Sequence, residues 1–217
     1  MKTNYRLEME RVMKALETRG VRPRLLLHSC CAPCSSAVLE TLDSCFDVTV
    51  YYYNPNIAPR EEFWRRYQEQ QRLIEEMSLR FRTEPICGDE DGDAFAVMAR
   101  GLESEKEGGA RCEKCFRMRL GKTAQQAKAR GFEYFTTTLS VSPLKNARML
   151  NEIGAEMAGK FDVPFLYADF KKKNGYLRSL ELSRVHGLYR QDYCGCIYSR
   201  RERDERKKEK GCPHEED

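Results

Sequence analysis

The sequence contains no apolar run long enough to cross a bilayer, although 41% of its 217 residues are hydrophobic. The segment from Met1 to Gly20 carries acidic side chains throughout and has no apolar stretch before small residues, so it does not resemble a secretory signal. We therefore expect a cytoplasmic protein without membrane contact. The length and the hydrophobic content suffice for one sizeable domain with its own core.

Glycine is absent from the loop that follows the first predicted strand, in the segment LLLHSCCAPCSS. This loop therefore lacks the glycine-rich cradle that grips phosphate in nucleotide-binding proteins. Gly121-Lys122-Thr123 has the ending of a phosphate-binding loop, but such a loop needs an earlier glycine where Phe116 stands. The tripeptide also lies inside a predicted helix, so we expect no ATP binding.

Cysteine, by contrast, is abundant: the chain has 10, and a cytosolic chain cannot use them as a static disulfide framework. Most of them fall into three tight sets, which are Cys30-Cys31 with nearby Cys34, Cys112 with Cys115, and Cys194 with Cys196. Clustered thiols of this kind indicate metal binding, redox chemistry or both.

Strand-like and helix-like segments alternate along the chain, which predicts an α/β fold with a parallel sheet. The predicted strands are 24–28, 48–53, 81–86, 134–139 and 164–168. The predicted helices are 4–18, 37–42, 61–77, 93–102, 112–130 and 145–160. We divide the chain into an N-terminal helix at 1–23, a single α/β domain carrying the thiols at 24–198, and a basic charged tail at 199–217.

Ligands of an open parallel sheet bind outside the carboxyl ends of the strands. The first cysteines follow the first predicted strand, Asp89 follows the third and Asp169 follows the fifth. Each aspartate could be a metal ligand or a proton donor, whereas Asp89 could equally be a turn or capping residue. His28, beside the cysteines, could hydrogen-bond a sulfur or be an ordinary buried imidazole.

Four thiols, Cys30, Cys31, Cys112 and Cys115, could bind Zn²⁺ or an iron–sulfur cluster. Vicinal cysteines make an awkward zinc knuckle, because neighbouring side chains of an extended chain point apart. A [4Fe–4S] cluster offers separate corners, so this spacing favours the cluster, with zinc as the alternative. Cys34 could replace one of the first two ligands, hold a second metal or simply pack.

Cys194-Gly195-Cys196 brings two thiols so close that they can form only a strained disulfide. Strained disulfides are labile and redox-active, which favours a redox role for this pair. The alternative is that both thiols are further metal ligands.

Basic residues are concentrated in two places, Lys171 to Lys173 and the segment RRERDERKKEK from Arg200 to Lys210. Such patches suit a polyanion such as RNA, although solvated surfaces look the same. Other candidates for a basic rim are Arg60, Arg65, Arg66, Lys145 and Arg148.

In chain order, the motifs of the sequence resemble those of the QueH family of epoxyqueuosine reductases. They are LLLHSCCAPCSS, YYYNPNIAPREEF, RCEKCFRMRL, FTTTLSVSPLKN, YADFKKKNGY and YRQDYCGC, and they span about 24–198. The resemblance implies a Rossmann-like fold akin to the adenine nucleotide alpha hydrolase and PP-loop group, with helices on both faces of the sheet. It also implies that epoxyqueuosine at the tRNA wobble position loses its epoxide oxygen.

The resemblance further implies a [4Fe–4S] cluster on Cys30, Cys31, Cys112 and Cys115, and a redox-active disulfide between Cys194 and Cys196. On this basis, we expect two-electron chemistry without cobalamin. An additional mononuclear iron would be held by Cys34 and Asp89, with Asp89 or Asp169 as the proton donor. The partners would be the tRNA and an electron donor that the sequence does not identify. The rival interpretations are a zinc-containing thiol–disulfide oxidoreductase and a metal-stabilised RNA-binding module.

Overall fold

A computed structural model of the protein describes residues 3–79, 85–88 and 92–211. Its sheet contains four parallel strands in the spatial order β3-β2-β1-β4. The strands are β1 (Arg24–His28), β2 (Asp47–Tyr52), β3 (Pro85–Cys87) and β4 (Tyr134–Thr137). Asp89 and the predicted strand residues 81–84 lie outside the described residues.

Eight α-helices lie within the described ranges. They are α1 (Tyr5–Arg19), α2 (Ala32–Leu42), α3 (Arg60–Glu76), α4 (Gly92–Ala99), α5 (Ala110–Ala129), α6 (Ala147–Phe161), α7 (Gly175–Val185) and α8 (Ile197–Gly211). Among these we find no helix whose length and apolar content would let it span a bilayer.

The central strand β1 divides the core into two layers, because successive side chains of a strand point to opposite faces. Leu26 packs with Phe116 and Ile153, from α5 and α6, on one face. Leu25 and Leu27 pack on the other face with residues of α1 and α2. Each of these leucines is fully buried and contributes about 1.5–3 kcal/mol relative to exposure. The prediction of a single α/β domain with helices on both faces is confirmed.

Several predicted boundaries are wrong. The run after β4 is not strand beyond Thr137 but a 3₁₀ turn at Thr138–Val141, because the Thr137 hydroxyl accepts a hydrogen bond from the Leu139 amide. Residues 164–168 form no strand and make only an isolated bridge through Phe165 to Phe135. Helix α2 begins at Ala32 rather than at 37.

The carboxyl-terminal third is more regular than the sequence predicts. It contains α7, and the basic segment continues directly from the domain as α8, which begins at Ile197. Ser199, at the start of α8, is buried. The basic segment is therefore attached to the α/β domain through a packed first turn.

Candidate active site

The first cysteine loop lies at the point where the sheet topology reverses. From β1 the chain proceeds to β2 and β3 on one side and then returns to β4 on the other. The carboxyl ends of β1 and β4 therefore flank the crevice in which open α/β sheets bind their ligands. Cys30 follows β1, and its Sγ lies 3.8 Å from Oγ1 of Thr138, which follows β4.

Three thiols converge in this crevice, since the Sγ atoms of Cys30, Cys31 and Cys34 all lie within 4.8 Å of one another. Cys31 is the N-cap of α2 in an extended conformation, and Cys34 follows in the first turn. The Sγ atoms of Cys30 and Cys31 are 3.7 Å apart, so the expectation that vicinal thiols splay apart is wrong. The three sulfurs are close enough to ligate a common ion.

The three thiols share one negative charge. The S–H groups of Cys31 and Cys34 stabilise the Cys30 thiolate and hold its pKa well below its ordinary value, with a further contribution from Arg119. The same sharing raises the pKa of Cys31 to about 12 and that of Cys34 well above its ordinary value. A metal ion binding here would displace the remaining thiol protons, because thiolates are the ligating form.

The second pair, Cys112 and Cys115, lies in the first turns of α5 and is buried. The Gly108 amide donates to Cys112 Sγ at 3.2 Å. Burial is the main cause that raises the pKa of both thiols, that of Cys115 to about 12. These two thiols are not among the three converging sulfurs of the first loop. They line a small space of about 10 Å³ together with Cys194 and Cys196.

Arg119 is a fully buried cation that connects the two thiol sets. Its Nε donates to His28 Nε2 at 3.2 Å, and its Nη2 donates to the side-chain oxygen of Asn54. Burial opposes its charge, but its interactions with the sulfurs of Cys115 and Cys30 outweigh burial and raise the pKa of the guanidinium. A permanent positive charge therefore acts on both sets of sulfurs.

His28 is held as a neutral imidazole. Burial, followed by the charge of Arg119, lowers its pKa to about 3. His28 Nε2 lies 3.2 Å from both Arg119 Nε, which can only donate, and the Tyr53 carbonyl oxygen, which can only accept, and Nδ1 lies 2.8 Å from Thr137 Oγ1. Both ring nitrogens are thereby used, so the described contacts of His28 include no hydrogen bond to a sulfur.

Arg66 is a second buried cation beside the first cysteine loop. Its Nε donates to Glu62 at 2.6 Å, whereas its buried Nη2 has no hydrogen-bond partner among the described residues. Burial disfavours its charge, but its interactions with the Cys31 sulfur and Glu62 outweigh burial and raise the pKa of Arg66. An unpaired guanidinium nitrogen beside the first cysteine loop suits a site that carries negative charge.

The third thiol pair lies in the turn before α8. The Gly195 backbone has a φ of +120°, and its carbonyl accepts from the Ala58 amide at 2.9 Å. Cys194 Sγ accepts from Lys145 Nζ at 3.2 Å. Cys196 is buried and faces the amide and hydroxyl groups of Ser199 at 3.4 and 3.5 Å. The two neighbouring sulfurs therefore have different surroundings.

Thiols of the first and third sets line one cavity of about 310 Å³ at the carboxyl edge of the sheet. Its lining includes the first-loop thiols Cys30, Cys31 and Cys34, and also Lys145 and Cys194. Cys194 also lines the small space that contains Cys112 and Cys115. The structure thus places Cys194 between the two sets of predicted ligands.

Asp169, a predicted proton donor, lies away from this cavity. It is buried, forms an ion pair with Lys171 at 3.4 Å and lines a neighbouring cavity. Lys145 contributes to the walls of both cavities, whereas Asp169 lines only the neighbouring one of the two. Asp89, the other predicted acid, cannot be placed because it is outside the described residues.

Three buried cations, Arg66, Arg119 and Lys145, were not predicted as part of the thiol site. Arg66 and Lys145 were expected on an RNA-binding surface, but they are only 1% and 9% exposed. One signal was available in the sequence: Arg119 follows Cys115 by one helical turn, so both lie on the same face of α5. No comparable local pattern joins Lys145 to Cys194.

Comparisons with known proteins agree on one family. The family model described as "Epoxyqueuosine reductase QueH" matches residues 25–202. A protein of that name from Streptococcus pyogenes serotype M1 is 42% identical over 200 residues, covering 91% of this chain and 78% of the relative. The protein of that name from Staphylococcus epidermidis is 39% identical, with coverages of 91% and 85%. The one from Thermotoga maritima is 36% identical, with coverages of 84% and 93%.

Proposed function

Because the chain belongs to the QueH family of epoxyqueuosine reductases, we propose that it reduces epoxyqueuosine at the wobble position of a tRNA to queuosine. The epoxide becomes an alkene, and its oxygen leaves as water after taking up two electrons and two protons. The observation that carries this proposal is that one cavity is lined by Cys194 and by the first cysteine loop. The proposed redox thiol and the proposed metal ligands therefore border the same space.

The donor set fits a thiolate-bound metal centre. We propose that Cys30, Cys31, Cys112 and Cys115 hold a [4Fe–4S] cluster, and that Cys34 with Asp89 holds an additional mononuclear iron. All of the placed ligands are sulfurs, and two buried guanidinium groups, those of Arg66 and Arg119, offer compensating positive charge. When bound, such a centre would relay electrons and supply Lewis-acidic iron near the epoxide.

The protein's own groups supply the remaining requirements. Cys194 and Cys196 would together give up two electrons and two protons as they close to a disulfide, so cobalamin is not required. Lys145, which donates to Cys194 on the same cavity wall, would supply positive charge beside the dithiol. Asp169, ion-paired with Lys171 in the neighbouring cavity, is our proposal for the second source of protons, beside Asp89.

The cavity suits a single nucleoside of an RNA. Its volume of about 310 Å³ lies at the lower end of the range for small-molecule sites. Arg190, Arg206 and Tyr193 also line it, which places cationic and aromatic side chains within reach of a phosphate or base. We propose that the wobble nucleoside enters there while the rest of the tRNA stays outside.

The first experiment is metal analysis of protein purified without oxygen. We expect a brown protein with about four acid-labile sulfides and about five irons per chain, since the mononuclear iron adds to those of the cluster, and a loss of visible absorbance when any of the four proposed ligands becomes serine. Cys45→Ala is the matched control, because Cys45 is a buried cysteine that packs with α1 and α2 and lines neither of the two thiol cavities. Colourless protein with zinc would instead favour a thiol–disulfide oxidoreductase, since three converging sulfurs also suit one ion.

Turnover tests the reaction itself. The double variant C194S/C196S should keep the visible absorbance and lose multiple turnover with tRNA that contains epoxyqueuosine. Multiple turnover by this variant would exclude the dithiol role. Binding of tRNA without any reduction by the metal-loaded protein would favour an RNA-binding module instead.

A further inference from the structure

Lys145 is a buried amine whose neighbours are two acidic groups. Its Nζ lies 2.7 Å from Glu107 Oε1 and 3.2 Å from Cys194 Sγ. Its backbone carbonyl accepts from Lys171 Nζ at 3.1 Å, which helps to fix the segment just before α6. An ammonium group that is only 9% exposed requires such partners, because an unpaired buried charge is costly.

The balance of charge around Lys145 favours the ammonium form. Burial opposes the charge, but the interactions with Cys194 Sγ and the Glu107 carboxylate outweigh burial and raise the pKa of the lysine. Two other cations face the same turn: Arg66 Nη1 donates to the Cys194 carbonyl at 3.3 Å, and the charge of Arg119 interacts with Cys194. Of these groups, Lys145 donates directly to the sulfur.

The two sulfurs of the pair differ in access as well as in their hydrogen-bond partners. Cys194 is half-buried and lines the cavity of about 310 Å³, which is open to incoming molecules. Cys196 is buried, packs with Phe95 and Cys115, and faces Ser199. A reagent that enters the cavity therefore meets Cys194 first.

We propose that Lys145, held by Glu107, positions the Cys194 sulfur at the cavity wall and makes it the sulfur that exchanges with an external dithiol reductant. This inference rests on the proposed function, in which Cys194 and Cys196 cycle between dithiol and disulfide. Cys196 is then the buried partner, and Lys145 is a positioning residue that acts through Cys194.

Reduction of the disulfide between Cys194 and Cys196 by an external dithiol conserves electrons and protons. A thiolate of the reductant attacks Cys194 Sγ, the bond between Cys194 and Cys196 breaks, and the electron pair leaves with Cys196. The second thiol of the reductant gives its proton to Cys196 and attacks the mixed disulfide. Cys194 leaves as a thiolate beside Lys145, the reductant becomes a disulfide, and two electrons have entered the protein.

The test is site-resolved alkylation of the reduced, metal-loaded protein at neutral pH. Mass spectrometry would follow Cys194 with neutral iodoacetamide and with anionic iodoacetate. Because an adjacent ammonium stabilises the thiolate and attracts anions, K145M should slow both reactions and lower the ratio of iodoacetate to iodoacetamide rates several-fold. K145R keeps the charge and should restore the ratio, which a purely structural role would not predict.

Lys128→Met is the matched control, because Lys128 is an exposed lysine whose ion pair is with Asp162 at the surface. It should leave the rates and their ratio unchanged. If K145M does not fold, K145Q removes the same charge and must also lower the ratio. A wild-type ratio at Cys194 in these charge-removing variants would overturn the proposal.

Trapping of mixed disulfides tests the role of Cys194 separately from the proposed reductase activity. With hydroxyethyl disulfide as the oxidant, the Cys194 thiolate of reduced C196S should attack it, release one thiol of the reagent and accumulate a mixed disulfide, whereas reduced C194S should accumulate little on Cys196. The reverse pattern would overturn the assignment of Cys194 as the exchanging sulfur. If C194S/C196S loses turnover but alkylation of Cys194 is unchanged in K145M, only the role of Lys145 is excluded. If C194S/C196S still turns over, the dithiol function itself is excluded.

Discussion

At the scale of single residues, the site depends on Arg119, a buried cation that does not line the cavity of about 310 Å³. Arg119 donates to a buried imidazole and to a buried amide oxygen, and its charge also interacts with the sulfurs of Cys30 and Cys115 from two separate elements. Removing one partner from such a buried charged network leaves the others without compensation, which is the costly case. The thiols should therefore depend on Arg119 even before a metal is bound.

We expect Arg119→Met to lower the free energy of unfolding by about 3–5 kcal/mol and to reduce the iron bound per chain. Urea denaturation and iron analysis would measure these effects. Arg117→Met is the matched control on the same helix, since Arg117 is partly exposed and its ion pairs with Glu113 and Glu156 are screened by water. It should cost less than about 1 kcal/mol, and equal losses in the two variants would contradict the assigned role of Arg119.

Gly195 is required by the backbone between the two redox thiols. At a φ of +120°, a Cβ would strain the backbone, and it would lie 2.9 Å from Ile57 Cγ1 and 3.1 Å from Arg66 Nη1. We expect Gly195→Ala to destabilise the fold by about 1–3 kcal/mol and to impair disulfide closure between Cys194 and Cys196. Thermal unfolding and disulfide quantification would measure the two effects.

Gly159→Ala provides the comparison for that substitution. Gly159 lies in α6 with open space around its Cβ position, so alanine there should stabilise the helix by about 0.5–1 kcal/mol. If Gly195→Ala changed the thermal stability as Gly159→Ala does, the close contacts at Gly195 would not be what requires glycine there.

The sequence identifies the thiols because clustered cysteines in a cytosolic chain have few explanations. It does not reveal their electrostatic partners. Lys145 reaches Cys194 across 49 positions and Arg119 reaches His28 across 91, and such pairs are set by the tertiary fold alone. Cys34 shows the intermediate case: its spacing was visible, but its convergence with Cys30 depends on α2 starting at Ala32.

At the scale of elements, α8 is both a basic surface and a support for the site. Glu202 accepts from the Glu107 amide at 2.9 Å and from the buried guanidinium of Arg111 at 3.5 Å. Truncation after Tyr198 would remove these contacts, so it would disturb the neighbours of Cys112 as well as any RNA contacts. Substitution of exposed charges tests RNA binding more cleanly.

Arg200, Arg201 and Lys208 are exposed and make no ion pair among the described residues. If α8 contacts tRNA phosphates, the triple alanine variant should bind tRNA more weakly. The slope of log affinity against log salt should also fall in magnitude, by about one for each lost contact. Filter binding at several salt concentrations would measure both quantities.

The control for α8 removes the same number of charges at the opposite edge of the sheet. Lys128, Arg130 and Lys160 lie at the C-terminal ends of α5 and α6, away from the cysteine cavity. Their alanine variant should leave the salt slope unchanged. An equal change in both variants would indicate nonspecific attraction rather than a surface on α8.

Element prediction failed where side chains or proline compete with strand pairing. The run from Thr136 to Thr138 has the β-branched composition of a strand, yet the Thr137 hydroxyl turns the chain by accepting from Leu139. Around Phe165 the chain pairs with Phe135 at one point only, and Pro164 has no amide to extend the pairing. Strands β1 and β2, which lack such competitors, were placed within one residue.

At the scale of the whole molecule, the strand order decides the site. Alternation of strands and helices predicts a parallel sheet, but several strand orders satisfy that pattern. The observed order β3-β2-β1-β4 places β4 beside β1, which brings the loop after β1 against the turn after β4 and Cys30 Sγ to 3.8 Å from Thr138 Oγ1. The sequence could therefore predict a shared edge for the loops, but not which loops are neighbours.

The proposed metal centre joins parts of the molecule that lie far apart in sequence, and this predicts how stability depends on it. Cys30 and Cys31 connect β1 to α2, whereas Cys112 and Cys115 begin α5, which packs on the opposite face of the sheet from α2. A group bound to all four would cross-link both core layers and stabilise the folded state over the unfolded state. Metal removal should therefore lower the stability of the whole domain, and not only that of one loop.

We expect metal-depleted protein to unfold at a lower temperature and at a lower urea concentration than the metal-loaded protein. In C30S/C112S, chelation should cause no further change, because the variant already lacks ligands from both elements. Cys45→Ala should lower the stability of loaded and depleted protein equally, since Cys45 packs away from the thiol cavity. If loaded and depleted wild-type proteins unfolded together, the four cysteines would not share one centre, and the cross-link between the two core layers would be excluded.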